Sequence, residues 1–124
     1  MSLNSAVLTE FGQNLGLADL QWPQSGVLAL DFDVRGTLYL EDRDDDLLLY
    51  LARLITQPEQ TLAILKTALQ RCHYRQGLPY AVQPGLRGET ELVFLVRLPS
   101  REVTLPELER VLDTLTTLHA TSQA

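Results

Sequence analysis

The sequence lacks what several classes of protein require. It holds one cysteine, Cys72, which excludes a disulfide framework and indicates a reducing compartment. No apolar run approaches the ~20 residues that cross a bilayer. The amino terminus has neither the basic region nor the long apolar run of a signal peptide. These absences predict a cytoplasmic protein without membrane insertion.

The chain also has few basic residues. Its 10 lysines and arginines are outnumbered by 16 acids, which gives a net charge of -6. Charge therefore gives the chain no attraction to nucleic acid or anionic lipid. Its length of 124 residues and hydrophobic fraction of 45% fit one globular domain, residues 1–124.

Groups of residues typical of catalytic or metal sites are missing. Cys72 and His73 are adjacent, so on a helix they point about 100° apart. The only other histidine, His119, lies near a helix end that we expect to fray. A structural zinc site needs about four ligands, and the sequence has no glycine-rich phosphate loop followed by lysine. We therefore expect no metal, no cofactor and no enzymatic activity.

Two acidic motifs invite functional interpretation. The first, LDFDVRGTL, resembles the D-x-D-G-T motif of haloacid-dehalogenase-type phosphatases, but Arg35 stands where that motif has threonine. A small phosphatase-like enzyme that uses Asp31 and Asp33 is therefore only a distant alternative. The second motif alternates aspartates from Asp42 to Asp46 like a calcium loop. It lacks the glycine and glutamate that such a loop needs at its sixth and twelfth positions.

The first acidic motif is better explained as a β-hairpin. A loop of Val34, Arg35 and Gly36 would place Phe32 opposite Leu38, with the apolar residues of both strands on one face. Gly36 would then take the left-handed position, for which glycine is best suited. Asp33 would begin the turn.

Hydrophobic periodicity predicts the remaining elements. Residues 4–15 form a helix, and residues 47–55 form a third strand in preference to a buried helix. Residues 57–75 form a helix with an apolar stripe of Leu62, Leu65, Leu69 and Cys72, and Ile64 and Ala68 widen that stripe. Residues 80–83 form a short strand ended by Pro-Gly, and residues 91–98 form a longer one. Residues 103–119 form a helix that begins with a capping box of Thr104 and Glu107.

The resulting order is α-β-β-β-α-β-β-α. Three strands, a helix, two strands and a helix predict an α+β fold, in which an antiparallel sheet carries its helices mainly on one side. Both predicted long strands are apolar on two faces. One of those faces should therefore meet something beyond the helices of the domain.

Three segments carry a resemblance to a known family: LTEFGQNLGL, GVLALDFDVRGTLYLED and LLLYLARL. Together with the helix PELERVLDTL, they resemble the class I chaperones of bacterial type III secretion, the Tir-chaperone or CesT/SycE-like family. The resemblance implies a homodimer in the bacterial cytoplasm. It would bind the non-globular amino-terminal segment of a secreted effector and keep that segment extended. A regulatory adaptor of the same fold, which would bind a secretion regulator, is the alternative.

The resemblance also implies site residues. We expect effector contacts, through strand addition at a sheet edge and through apolar patches, at Val7, Phe11, Trp22, Leu49, Leu51, Val93 and Leu95. For Trp22 the other interpretation is that it covers the end of the sheet. In this family the middle helix and the following strand commonly form the dimer contact, which here points to Leu69, Cys72, Tyr74 and Tyr80.

Overall fold

A computed structural model describes residues 5–33, 35–43, 45–73 and 77–123, without the side chains of residues 5 and 102. The elements of this part of the chain are α1 (Ser5–Asn14), β1 (Val27–Phe32), β2 (Gly36–Arg43), β3 (Asp46–Leu54), α2 (Thr61–Arg71), β4 (Val82–Arg87), β5 (Glu91–Pro99) and α3 (Leu105–Ser122). The predicted order of elements is confirmed. The strands form one antiparallel sheet with the order β1-β2-β3-β5-β4.

The core lies between the sheet and the three helices. Alternate residues of the central strands face the helices and are fully or almost fully buried: Leu47, Leu49, Leu51, Leu92, Phe94 and Val96. The buried face of α3 packs onto them with Leu108, Val111, Leu112, Leu115 and Leu118. Burial of each large side chain contributes about 1.5–3 kcal/mol. The predicted third strand over residues 47–55 is therefore confirmed as β3.

The hairpin has the predicted faces but not the predicted register. Phe32 pairs with Gly36 and Leu30 with Leu38, two residues away from the predicted partners. A shift of two residues leaves every side chain on its original face, so the hydrophobic pattern does not distinguish the two registers. The loop therefore runs from Asp33 to Arg35, and Val34 lies outside the described residues.

Gly36 is required at its position for two reasons. Its φ of +101° lies in the region that L-residues with side chains rarely adopt. A Cβ atom there would also lie 2.2 Å from the carbonyl oxygen of Ala52 on β3. Only glycine lets β2 begin this close to β3. The predicted positive φ of Gly36 is confirmed, but Gly36 is the first residue of β2 and not the last residue of the loop.

The prediction that Pro84 and Gly85 end a short strand is wrong. Both lie inside β4, which begins at Val82 and continues to Arg87. Because β4 is an edge strand with β5 as its neighbour, proline's missing N–H can face outward without loss of a ladder bond. The extension adds Gly85 and Arg87 to the sheet, and both border the groove described below.

α2 is shorter than predicted, and only the widened side of its predicted apolar stripe is buried. A 3₁₀ turn, Pro58–Gln60, precedes it, and the helix ends at Arg71. The buried positions are Ile64 and Ala68. Within the predicted stripe, Leu62 and Leu69 are exposed instead.

The beginning of α3 is confirmed, but its predicted frayed end is wrong. The Thr104 side chain accepts a hydrogen bond from the Glu107 backbone N–H at 3.3 Å. The helix continues beyond His119 to Ser122, and the His119 ring is 0% exposed. Its Nε2 donates to the Leu51 carbonyl oxygen at 2.7 Å, which fastens the last turns of the helix to β3.

Candidate functional site

The outer side of α2 leaves apolar surface in solvent. Leu62 is 81% exposed and Leu69 is 55% exposed. They are seven residues apart, so they lie on one side of the helix about 10 Å from each other. Leu65 and Cys72 are half-buried beside them. These four residues are called the α2 face below. Isolated exposed leucines are ordinary, whereas an aligned pair extends into a patch that a partner can cover.

The α2 face continues toward the start of β4. Cys72 and Tyr80 line one depression of about 310 Å³, together with Leu78 and Pro79. The structure therefore brings together two of the predicted dimer residues, and Leu69 lies three positions before Cys72, which caps the end of α2. Tyr74 lies outside the described residues. As a dimer contact, this set stays a prediction.

Cys72 contributes to packing and is not a reactive thiol. Burial raises the pKa of its thiol to about 11. The thiol therefore stays protonated near neutral pH, and the protonated form is neither a nucleophile nor a metal ligand.

The second apolar surface is the side of the sheet away from the helices, called the open face below. A row of directly paired residues crosses it: Tyr39 on β2, Tyr50 on β3 and Leu95 on β5. The two tyrosine rings stack with centroids 4.9 Å apart and planes inclined by 15°. Such pairs contribute about 0.5–1.5 kcal/mol beyond their burial. The burial of Tyr50, followed by the charge of Glu41, raises the pKa of its hydroxyl.

Arg87 reaches across the open face from the edge strand. Its guanidinium carbon lies 4.5 Å from the centre of the Tyr39 ring, and its Nη1 donates to the Tyr39 hydroxyl. The same nitrogen is 3.5 Å from a carboxylate oxygen of Glu91. Arg87 thus bridges β4 and β2 over the strands between them, and its charge already has a partner.

A groove of about 420 Å³ lies beside this bridge. Val93 and Leu95 line it from β5, Tyr50 from β3, and Gly85 and Arg87 from β4. Because Gly85 has no side chain, the groove stays open above β4. The surface combines apolar side chains with one aromatic ring and a charged border, which is the composition of many binding clefts.

The effector contacts predicted on the strands lie on opposite faces of the sheet. Val93 and Leu95 are half-buried together in the groove. Leu49 and Leu51 point to the helices and are 0% exposed. Side chains alternate between faces along a strand, so the residue of β3 that reaches the groove is Tyr50. The alternation is readable in LLLYLARL and separates Tyr50 from Leu49 and Leu51, but it does not say which of the two faces the helices cover.

The effector contacts predicted near α1 are also largely packed. Phe11 is 0% exposed, and Val7 is half-buried against the core. Trp22 is half-buried and packs on the core, and its Nε1 has no hydrogen-bond partner within the described part of the chain. For Phe11, Leu49 and Leu51, contact with a partner would require the core to open. All seven effector contacts stay predictions.

The described residues of the two acidic motifs form local contacts and no metal site. Asp31 accepts a hydrogen bond from the Thr37 hydroxyl across the hairpin at 3.5 Å. In the calcium-like motif, Asp44 lies outside the described residues. Among the residues that are described, no three histidine, cysteine or acidic side chains come together to hold a metal ion. In that same part of the chain, no helix has both the length and the apolar character needed to cross a membrane.

Comparison with known proteins agrees with this arrangement. The family model for the type III secretory system chaperone SycN matches residues 4–122. The chaperone protein SycN of Yersinia enterocolitica is 32% identical over 116 residues, which cover 93% of this chain and 92% of that protein.

Solved structures share the fold. A chain in the HopA1–SchA chaperone–effector complex matches with a TM-score of 0.70 at 18% identity. The match covers 96% of this chain and 92% of that chain. A chain in the ExsC–ExsE complex has a TM-score of 0.68 at 20% identity, with 99% of this chain and 92% of that chain covered. The chain described here belongs to the SycN family of type III secretion chaperones.

Proposed function

We propose that this chaperone is a cytoplasmic homodimer that binds the non-globular amino-terminal segment of a secreted effector and keeps it extended until export. The observation that carries the proposal is apolar surface that the described fold leaves uncovered in two places, on α2 and on the open face of the sheet. Two surfaces allow two kinds of partner, a second copy and a client. The protein would act by binding alone and catalyse no reaction.

The α2 face would form the dimer contact. Leu62 and Leu69 are the most exposed large apolar residues of α2, and the depression at Cys72 and Tyr80 extends the same surface. Two copies of the helix packed against each other would remove both leucines from water. Each leucine removed contributes about 1.5–3 kcal/mol, which is a large part of the free energy that a stable dimer needs.

The client would use the sheet. The outer edge of β1 carries no neighbouring strand within the described residues, so an extended segment could add there through backbone hydrogen bonds. A separate stretch of the same segment could place its side chains in the groove of Tyr50, Val93 and Leu95, which lies toward the opposite edge of the sheet. A folded client would not present its backbone in this way. The proposal therefore requires the bound segment to be extended.

The dimer is tested by light scattering on two variants, Leu62→Asp and Leu69→Asp. Each aspartate would be buried without a partner in the dimer, at a cost of several kcal/mol, so both variants should be monomers at micromolar concentration. The matched control is Ala63→Asp, an exposed position on the same helix about 100° around the axis from Leu62. Wild-type protein that is a monomer under these conditions would refute this part of the proposal.

The client is tested by co-expression with the amino-terminal segment of a secreted protein encoded beside this chain. A stable complex is expected, in which limited proteolysis cuts the free segment but not the bound one. Amide NMR of the bound segment should show extended rather than helical shifts. If the captured partner is a secretion regulator rather than an effector, the adaptor alternative is correct. If the segment folds into a globular domain on the chaperone, the proposal fails.

A further inference from the structure

The groove on the open face ends beside an arginine to which the described residues offer no partner. A second depression of about 220 Å³ adjoins it, sharing Gln83 and Leu95 with the groove and reaching Arg97. Arg97 follows Leu95 and Val93 on the same face of β5, at intervals of two residues. The three side chains therefore stand in a row, with the charge at one end.

The two arginines of this surface differ in their surroundings. Arg87 is held by the Tyr39 ring and by the carboxylate of Glu91. Arg97 is exposed, and none of the described residues forms an ion pair or hydrogen bond with its side chain. In a chain with a net charge of -6, a cation beside an apolar groove without an acid against it is available to an incoming carboxylate.

We propose that this groove receives an extended client segment that pairs a carboxylate with Arg97 and places apolar side chains over Leu95 and Val93. The inference rests on the proposed function and names the chemistry of the segment. On one face of an extended chain, side chains recur about every 7 Å. Residues 97, 95 and 93 of β5 have the same spacing. The matching pattern is an acid, then apolar residues two and four positions away.

Arginine is well suited to this role. Its planar guanidinium can hold a carboxylate through two parallel hydrogen bonds, which fixes direction as well as position. The apolar part of the groove would contribute most of the affinity, whereas Arg97 would set which end of the segment lies there. A segment with a basic residue at that position would be disfavoured, because like charges would be brought together.

The test uses capped synthetic peptides and amide NMR of the full-length protein. One pair, Asp-Ser-Leu-Ser-Leu and its reversed sequence, carries the acid at either end, and a second pair has lysine in place of aspartate. The aspartate peptides should shift the amide signals of residues 81–87 and 93–97. Arg97→Glu should weaken their binding about tenfold and should strengthen binding of the lysine peptides. Arg97→Gln, which only removes the charge, should give intermediate values.

Arg110→Glu provides the matched control, because it makes the same charge change at an exposed position on α3, in the helix layer on the other side of the sheet. It should leave peptide binding unchanged. The inference is overturned if the aspartate peptides shift none of these signals at millimolar concentration, or if Arg97→Glu binds them as wild type does. It is also overturned if the peptides dissociate the dimer in light scattering, because a second copy then occupies the groove.

This inference and the proposed function can fail separately. If a client segment forms a stable complex that Arg97→Glu leaves unchanged, the chaperone function stands, but the groove does not bind an acidic residue of the client. If the aspartate peptides bind as expected but no extended client does, the groove is a binding site and the proposed function is wrong.

Discussion

The buried histidine of α3 should make this protein lose stability in mild acid. The His119 ring is 0% exposed, its Nε2 donates to the Leu51 carbonyl, and its edge meets the Phe94 ring with centroids 4.8 Å apart. Burial lowers the pKa of His119 from 6.5 to about 4; the hydrogen bond to Leu51 opposes this shift, and the charge of Arg53 adds to it. In the folded protein the ring therefore binds a proton only at a considerably lower pH than it does in the unfolded chain.

The sign of the effect follows from proton binding. Between pH 6.5 and about pH 4 the unfolded chain binds a proton at His119 and the folded chain does not. Lowering the pH through this window therefore favours the unfolded state, and the stability present above pH 6.5 is lost progressively toward about pH 4. With about 1.4 kcal/mol per pKa unit, the loss between about pH 7 and about pH 4.5 is about 2 kcal/mol.

The measurement is urea unfolding at fixed protein concentration, followed by the fluorescence of the single tryptophan, Trp22. His119→Gln can still donate to the Leu51 carbonyl but does not titrate. It should therefore lose about 2 kcal/mol less than wild type over the same pH range. His73→Gln removes the other histidine but keeps His119, and should retain the His119-dependent loss. Parallel stability curves for wild type and His119→Gln would refute the argument.

Three further substitutions test the fold. Gly36→Ala should destabilise the protein by about 2 kcal/mol or more, because its Cβ would meet the Ala52 carbonyl at 2.2 Å. In the same urea assay Gly77→Ala, at φ +69° with nothing near its Cβ, should cost only about 1 kcal/mol. Thr104→Ala should cost about 1 kcal/mol through the lost cap of α3, and Thr104→Ser should restore most of it. Leu115→Ala, in the core beneath the sheet, should cost about 2–5 kcal/mol in thermal or urea unfolding; a loss below 1 kcal/mol would contradict its placement.

Local chemistry made much of the fold predictable. The start of α3 was predictable because the Thr104 cap is a contact between neighbours in sequence. The placement of Leu92 and Phe94 on one face of β5 followed from side-chain alternation, whereas the burial of that face did not. The positive φ of Gly36 also followed from turn chemistry, although the residue begins β2 and does not end the loop. The order of elements, and with it the α+β class, came from the same kinds of signal.

The candidate site was less predictable because it depends on which of two apolar faces is covered. β3 is apolar on both sides, and its pattern did not reveal that Leu49 and Leu51 would face the helices while Tyr50 would face outward. The hairpin register was ambiguous for a related reason, since a shift of two residues conserves every face. The groove also needed β4 to continue through Pro84, which is possible only because β4 lies at the edge.

The sequence by itself determined the elements, their order and the absence of a recognisable catalytic motif, because periodicity, caps and turns are properties of residues close together in the chain. The tertiary structure decided which apolar residues meet solvent. The exposure of Leu62 and Leu69, the burial of His119 and the row of Val93, Leu95 and Arg97 each depend on how distant segments pack. Packing of this kind is decided by long-range contacts and by the competition of several apolar faces for one core, which no local pattern records.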